Sequence, residues 1–515
     1  MRPLVAAALG AALALSTALP ALAHPTVELA PTLPTDLTHA RTDNVEYLGR
    51  FPEHTGTAGG RVVGDVFFVT DPRGVYAYDV SSPEKPLLLD SVTLYQNGLG
   101  AALAQEDPDT DGSILLVDGS PSPGTSNTLQ VVDVSNPRDL RIIGSAPVSD
   151  HTWTCVSTGP GGNALGHTKD RSGKPGKGVP DHAQGDGCAF AYGRSGHIVD
   201  LRNPTAPVLL SDKSWRTSTG YNTPYTHDLT EIRPGLVMSA GNQNVLMDTS
   251  DPTAPVLLNT IGDPNRFGGF LGYHSVEWAQ DGKAPIAVFG TEIGPRTAGV
   301  PVTQYVGSDC EGDNSVIETW DVRALVEAIE AYEDGEMSAR EVQQVESQRL
   351  DAFDAGGRGI FVQGQAPGHV LYCAHWMEPH ADFDDGGLLA ISYYDRGTRF
   401  VQVGADGVMT EIGWITPAEG YSGSVQWIGT ASDGSGEVAY IMDYRRGVEV
   451  VKLDPGIDAT GVVVQQADVV AAGATVTPLG AGDGGVPTSS AVAAAFGVTL
   501  AGVELFRRRR AQANA

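Results

Sequence analysis

The sequence predicts an all-β protein built from a repeated strand–turn–strand unit that closes into a ring. Three observations lead there. The 515 residues include 64 glycines and 33 prolines, with 41% apolar and 18% charged residues. That composition, with few long helical patterns, favours many short strands joined by turns. An apolar strand ending in Asp-Val-Ser or Asp-x-Arg/Ser-Asn/Asp-Pro, followed by a second apolar strand, recurs along the chain. Histidine recurs too, at one register of that repeat, and a repeat that closes on itself turns one register into a ring in space.

In chain order, residues 1–23 read as a secretory signal peptide. Arg2 precedes an apolar run from Leu4 to Leu19, and Ala21-Leu22-Ala23 offers a small-x-small cleavage site before His24. Residues 24–43 form an N-terminal extension, and Asn44 to Gly49 has the pattern of a strand with no repeat ahead of it. The repeat itself is clearest at Gly74 to Leu89, Leu129 to Ile143, His197 to Leu210 and Val245 to Leu258. In each, a proline placed just after the turn cannot continue the first strand and starts the second. Weaker copies lie at Val316–Val322, Thr398–Gly404 and Gly447–Asp454. Val322 to Asp351 breaks the β pattern. Its apolar residues (Leu325, Ile329 and Tyr332, then Met337, Val342, Val345 and Leu350) fall three to five apart among Glu, Gln and Arg, as in an amphipathic helical insertion split near Gly335.

These turns resemble the LVIVD-repeat family of β-propeller proteins over roughly residues 44–455. The resemblance implies a propeller of four-stranded blades and little about activity. Strands second in their unit begin at Val66, Ile114, Cys188, Leu236, Ile286, Leu388 and Val438, which makes seven blades. The last unit lacks an outer strand, and the orphan strand near Val45 supplies it. The expectation is therefore a seven-bladed β-propeller whose N-terminal strand closes the last blade, leaving only short, protected edges.

The histidine register carries the functional clue. His151-Thr152-Trp153-Thr154, His227-Asp228-Leu229-Thr230, His274-Ser275-Val276-Glu277 and His375-Trp376-Met377-Glu378 share one order, and His54-Thr55-Gly56-Thr57 is a looser copy. In a propeller the first strand of each blade lines the central channel. His54, His151, His227, His274 and His375 are thus expected at one channel mouth, with Asn97 and Gly423 as gaps that open one side. Converging neutral imidazoles suit copper, iron or zinc. Histidines of this pattern could instead only bond neighbouring blades. Strand alternation predicts that Glu277 and Glu378, three residues further on, face away. His167, His182 and His380 lie in loops within reach of the same mouth.

A second constellation, Asp107, Asp109, Asp111, Gly112 and Asp118, has the ligand spacing of a calcium loop. The alternative is an acidic hairpin turn, because Ile114 to Val117 reads as a strand rather than a helix. Four cysteines in an exported chain suggest disulfides Cys155–Cys188 and Cys310–Cys373. The rival reading makes Cys155 and Cys373 metal ligands beside His151 and His375.

The formal net charge of −29 argues against nucleic-acid and anionic-lipid partners and suits divalent cations. Residues 456–490 form a Gly/Ala/Thr-rich linker. In the final segment, 491–515, an apolar run to Phe506 is followed by Arg507 to Arg510, the pattern of a membrane anchor that leaves the body outside. A disordered basic tail is the alternative. No Gly-x-Ser-x-Gly elbow, phosphate-binding loop or His-Glu-x-x-His helix is present. Two function classes remain: a surface-tethered module that binds a small ligand, a surface protein or a transition metal, and a secreted metal-dependent oxidoreductase. The second parallels the selenium-binding-protein type of methanethiol oxidase at the level of fold and residue type only.

Overall fold

A computed structural model describes residues 39–57, 59–95, 106–120, 122–158, 187–221, 226–263, 272–292, 316–355, 374–394, 396–417 and 420–465. The predicted signal peptide, residues 466–490 of the predicted linker, the C-terminal tail, Asn97, His167, His182, Cys310 and Cys373 lie outside the described residues.

Seven sheets form a β-propeller. Numbered along the chain, the innermost strands of blades 1 to 7 are Gly60–Val63, Asp109–Thr110, Trp153–Val156, Thr226–Arg233, Tyr273–Glu277, Met377–Pro379 and Ser422–Thr430. Each blade then runs outward through antiparallel neighbours in sequence order. The expected second strands are present within a residue or two of their predicted starts, at Val66, Ile114, Phe190, Leu236, Ile286, Gly387 and Glu437. Their buried faces meet those of the adjacent blades. In one such layer Leu115 and Val117 of blade 2 pack with Phe68, Val75 and Ala77 of blade 1.

Closure occurs as expected. Val45–Phe51 pairs antiparallel with Gly447–Leu453 and becomes the outer strand of blade 7. The sheets also reach beyond the predicted 44–455. His39–Thr42 adds to the outer strand of blade 6, Met409–Pro417, and Val462–Gln465 adds outside it, so this sheet has six strands. Period-2 reasoning had no means of finding these short end pieces. The helical insertion consists of Arg323–Glu333 and Ala339–Val342, parted by Gly335 in a left-handed conformation (φ +75°). Its apolar stripe (Leu325, Ala328, Ile329) packs on the blade 4 and 5 core. The insertion is shorter than predicted, because Gln348–Phe353 is the outer strand of blade 5.

Candidate metal centre

Four of the five predicted histidines meet on the propeller axis. They are carried by blades 3, 4, 5 and 6, and each turns Nε2 toward Glu106, which directly precedes the inner strand of blade 2. Glu106 Oε2 lies 3.2 Å from His151 Nε2, 3.7 Å from His227 Nε2, 3.6 Å from His274 Nε2 and 3.5 Å from His375 Nε2. His151 Nε2 and His227 Nε2 are 3.1 Å apart. An ion held at about 2.1 Å by each donor sets neighbouring donors about 3.0 Å apart at right angles and about 3.4 Å apart at tetrahedral angles. The Glu106–histidine spacings need to contract by about 0.2–0.7 Å to reach the right-angle value. Glu292, at the end of the second strand of blade 5, brings a second carboxylate to 3.8 Å from His274 Nε2. The donor atoms of Glu106, His227 and His274, and those of His274, Glu292 and His375, each lie within 4.8 Å of one another.

β-Bulges explain how strand residues reach this point. In blade 4 Thr226 and Asp228 face consecutive partners, and in blade 5 Tyr273 and Ser275 do the same, so His227 and His274 are the extra residues. Blade 7 has the same irregularity around Gly423. A bulge re-aims the side chain it carries, here onto the axis. It also shifts the alternation beyond it. That is why Glu277, expected to face away, instead lines the channel below the histidines. Glu378, also expected to face away, lines it too, because His375 stands ahead of the inner strand Met377–Pro379 and outside its alternation. With Arg61 of blade 1 and Gln426 of blade 7 they surround a cavity of about 20 Å³. Burial pushes the Glu378 carboxyl up to about 7, against the opposing pull of Arg61.

The small residues around each histidine tie one blade to the next. Thr152 Oγ1 donates to the His227 carbonyl (3.0 Å), Thr230 Oγ1 to Val276 (3.2 Å) and Ser275 Oγ to His375 (3.5 Å). Both readings of the His-x-x-Thr pattern therefore hold at once: the hydroxyls bond across blades and the imidazoles converge. His375 Nδ1 donates to the Gly423 carbonyl, which orients the ring and turns its Nε2 inward. The His227 and His274 rings stack at 3.7 Å. Burial, reinforced by the neighbouring imidazoles, depresses the His227 and His274 pKa values, so both rings are in the neutral, ligating form. Burial resists ionisation of Glu106, yet the His151 and His375 imidazoles outweigh it and hold this carboxyl well below the usual range.

Several expectations are corrected. His54 does not join the ring. It lies in a short 3-10 turn ahead of the blade 1 inner strand, fully buried, with Nδ1 on Asp71 (3.2 Å) and Nε2 on Tyr78 Oη (2.6 Å). Blade 1 sends Arg61 into the channel in its place. The gap at Gly423 does not open a side, because a Cβ there would meet Tyr444 Cε2 at 2.6 Å. Tyr444 fills that place and donates from Oη to Glu106 Oε1 (3.0 Å).

The calcium-loop reading also fails, since its carboxylates are engaged separately rather than gathered. Asp107 pairs with Arg61 at 2.6 Å. Asp109 accepts from the Cys155 amide, and Asp111 from the amides of Ser113, Ile114 and Cys188. Asp118, at the other end of the strand, accepts from Ser149 Oγ and Trp153 Nε1. The acidic-hairpin alternative is the one observed, with Asp109–Thr110 and Ile114–Gly119 as its arms. Cys155 and Cys188 are disulfide-bonded as expected, which removes Cys155 as a ligand. His380 lies away from the cluster, against Glu437 and Trp427.

Sequence reasoning missed Glu106, Glu292, Tyr394 and Tyr444. The last three share a signal that was legible, since each stands just past the end of a second strand, where its turn reaches the axis. Glu106 was masked by the more conspicuous aspartates that follow it.

The chain matches no protein-family model and no curated protein sequence. Among solved structures its fold is similar to the N-terminal domain of Nup159, at 10% identity and a TM-score of 0.39 over 82% of this chain and 98% of that one. It is also similar to the WD40 repeats of RRP9, at 10% identity and a TM-score of 0.42 over 81% and 99%. These likenesses concern fold alone and say nothing of what the axial cluster does.

Proposed function

We propose that this chain is an exported, surface-tethered β-propeller of the LVIVD type that holds a transition-metal ion on its axis and acts as a binding module. The ligands are His151, His227, His274, His375 and Glu106. The observation that carries this reading is the convergence of four Nε2 atoms on Glu106 Oε2 within 3.2–3.7 Å. Buried polar groups with poor partners are costly, and the His274 and His375 Nε2 atoms meet only carboxylate oxygens at 3.5–3.8 Å, beyond good hydrogen-bond distance. A cation among these donors would replace long carboxylate contacts with short ligand bonds. Glu106 and Glu292 balance a divalent charge, and the mixed imidazole–carboxylate set suits iron, copper or zinc.

Export is supported by the N-terminal signal pattern and by the Cys155–Cys188 bond, since disulfides persist in oxidising compartments. Among the described residues no helix is long and apolar enough to cross a membrane. The tethering segment, 491–515, lies outside them and rests on its sequence. Elemental analysis of the purified chain tests the metal reading. Stoichiometric iron, copper or zinc is expected, and a protein that carries none and takes up none on dialysis against each ion overturns it. The oxidoreductase alternative draws support from one further feature, the tyrosines beside the cluster.

A further inference from the structure

Beside the histidines lies a group of aromatic rings that metal ligation does not account for. Tyr394 packs 4.4 Å from His375, centroid to centroid, and stacks on Tyr421 at 4.5 Å and 28°. Tyr444 lies 5.5 Å from Tyr421. The guanidinium of the exposed Arg445 sits over the Tyr421 ring at 5.3 Å. Tyr394 is 3% exposed and Tyr421 9%. A row of π systems in contact thus leads from a buried imidazole to the protein surface.

Two features set this row apart from ordinary core packing. Tyr394 has φ +38°. A bulky residue at positive φ is a genuine outlier that persists only where its surroundings impose it, and such strain clusters at functional sites. Here the amides of Gly397 and Ser422 both donate to the Tyr394 carbonyl, at 3.1 and 2.8 Å. The second feature is the choice of phenol partners. Tyr394 Oη donates to Glu292 Oε1 at 2.7 Å and Tyr444 Oη to Glu106 Oε1 at 3.0 Å. A phenol that loses an electron must also shed its proton, and each of these has a carboxylate positioned to receive it.

The geometry points to Tyr394 as a one-electron relay between the metal ion and the surface, with Tyr421 as the next station. The inference rests on the metal-centre reading and requires iron or copper, because zinc has no accessible second oxidation state. In the first step the oxidised ion takes one electron from Tyr394. The phenolic O–H bond breaks and its proton passes to Glu292 Oε1, leaving a neutral phenoxyl and the reduced ion. In the second step a solution enediolate or thiolate gives one electron, through Tyr421, to the Tyr394 phenoxyl. The proton returns from Glu292 and the phenol is restored. The net change is one electron moved from the reductant to the ion.

The test uses the full-length protein, loaded anaerobically with Fe(II) or Cu(I), its metal content measured, then oxidised with hydrogen peroxide and frozen for electron paramagnetic resonance. An organic radical is expected whose signal narrows when the protein is made with ring-deuterated tyrosine. Tyr394→Phe should retain full metal content and lose at least tenfold of the radical. Tyr421→Phe should keep the radical but slow its decay by added ascorbate at least tenfold. Metal-loaded protein with no tyrosine radical overturns the relay. So does a radical undiminished in Tyr394→Phe, a radical of equal intensity in metal-free protein, or a chain that accepts zinc alone. Failure to bind any metal is read in the metal analysis before oxidation, and it is the metal-centre reading that then falls.

Discussion

Replacing Gly423 by alanine should perturb the proposed metal centre without touching a ligand. An added Cβ would stand 2.6 Å from Tyr444 Cε2, with Cζ and Cδ2 at 3.2 and 3.3 Å. The ring therefore has to retreat by roughly 1 Å to reach ordinary contact, at a cost of about 1–3 kcal/mol for overpacking. That movement drags the Tyr444 hydroxyl from Glu106 Oε1, now 3.0 Å away. It also disturbs the Gly423 carbonyl that orients His375. Loss of groups that orient metal ligands typically weakens binding 10- to 100-fold, or about 1.4–2.7 kcal/mol. Chelator competition on wild type and Gly423→Ala measures this directly. The control is Tyr444→Ala, which empties the space the methyl needs. In that background Gly423→Ala should cost almost nothing further, giving a coupling energy of at least about 1 kcal/mol. Equal metal affinity in wild type and Gly423→Ala, or an equal penalty in both backgrounds, refutes the reasoning.

His227→Ala combined with His274→Ala should remove metal uptake while leaving the far-ultraviolet circular dichroism of a β protein unchanged. Retained metal in that variant would show that the ion binds elsewhere. Removing the Cys155–Cys188 bond, with its separation of 33 residues, should lower stability by roughly 3–4 kcal/mol on the chain-entropy estimate, measured by denaturant titration of the double Ser variant. Burial pushes Asp118 up to about 6 despite its bonds from Ser149 and Trp153. This carboxyl therefore holds its proton more firmly folded than unfolded. Its stabilising contribution is full below about pH 3.9 and fades as pH rises through about 6, by roughly 2–3 kcal/mol in all. In melts of the metal-free proteins across that range, wild type should lose stability relative to Asp118→Asn by that amount as pH rises, and a constant or opposite difference counts against it. Truncation after Pro487 should release the propeller into the medium if residues 491–515 tether it, whereas full-length protein found free would show that they do not.

Blade number and closure were readable because a proline-marked turn is a local event, repeated at each blade, and local events survive in sequence. The histidine register was readable for the same reason. Its failure at His54 is instructive. His54 lies six positions ahead of the inner strand Gly60–Val63, whereas the other histidines lie in theirs or at most two positions ahead, and only a fold with known strand ends reveals the difference. Glu277 was misjudged because strict alternation allows no extra residue, and the bulge at His274 leaves no local mark in composition. Glu378 was misjudged because His375 lies outside the strand that carries Glu378. Glu106 joins the cluster through contacts made across the channel to blades 3–6. Pairings of that range belong to the closed ring and to no window of sequence.

The clasp between Val45–Phe51 and Gly447–Leu453 also dictates when this molecule can finish folding. Its two strands stand about 400 residues apart in the chain, and joining ends that distant in a flexible chain costs about 5 kcal/mol by the logarithmic loop-closure rule. A strand made among the first is thus the last to find its place, and it waits unpaired until blade 7 exists. A chain crossing a membrane as an extended thread would meet the same order of events on the far side. Blades can form one by one as they emerge, but the ring is sealed in a single late step. Until then the imidazoles of blades 3–6 have no fixed axis to share, so tight metal capture should coincide with sealing and report it in a stopped-flow refolding experiment.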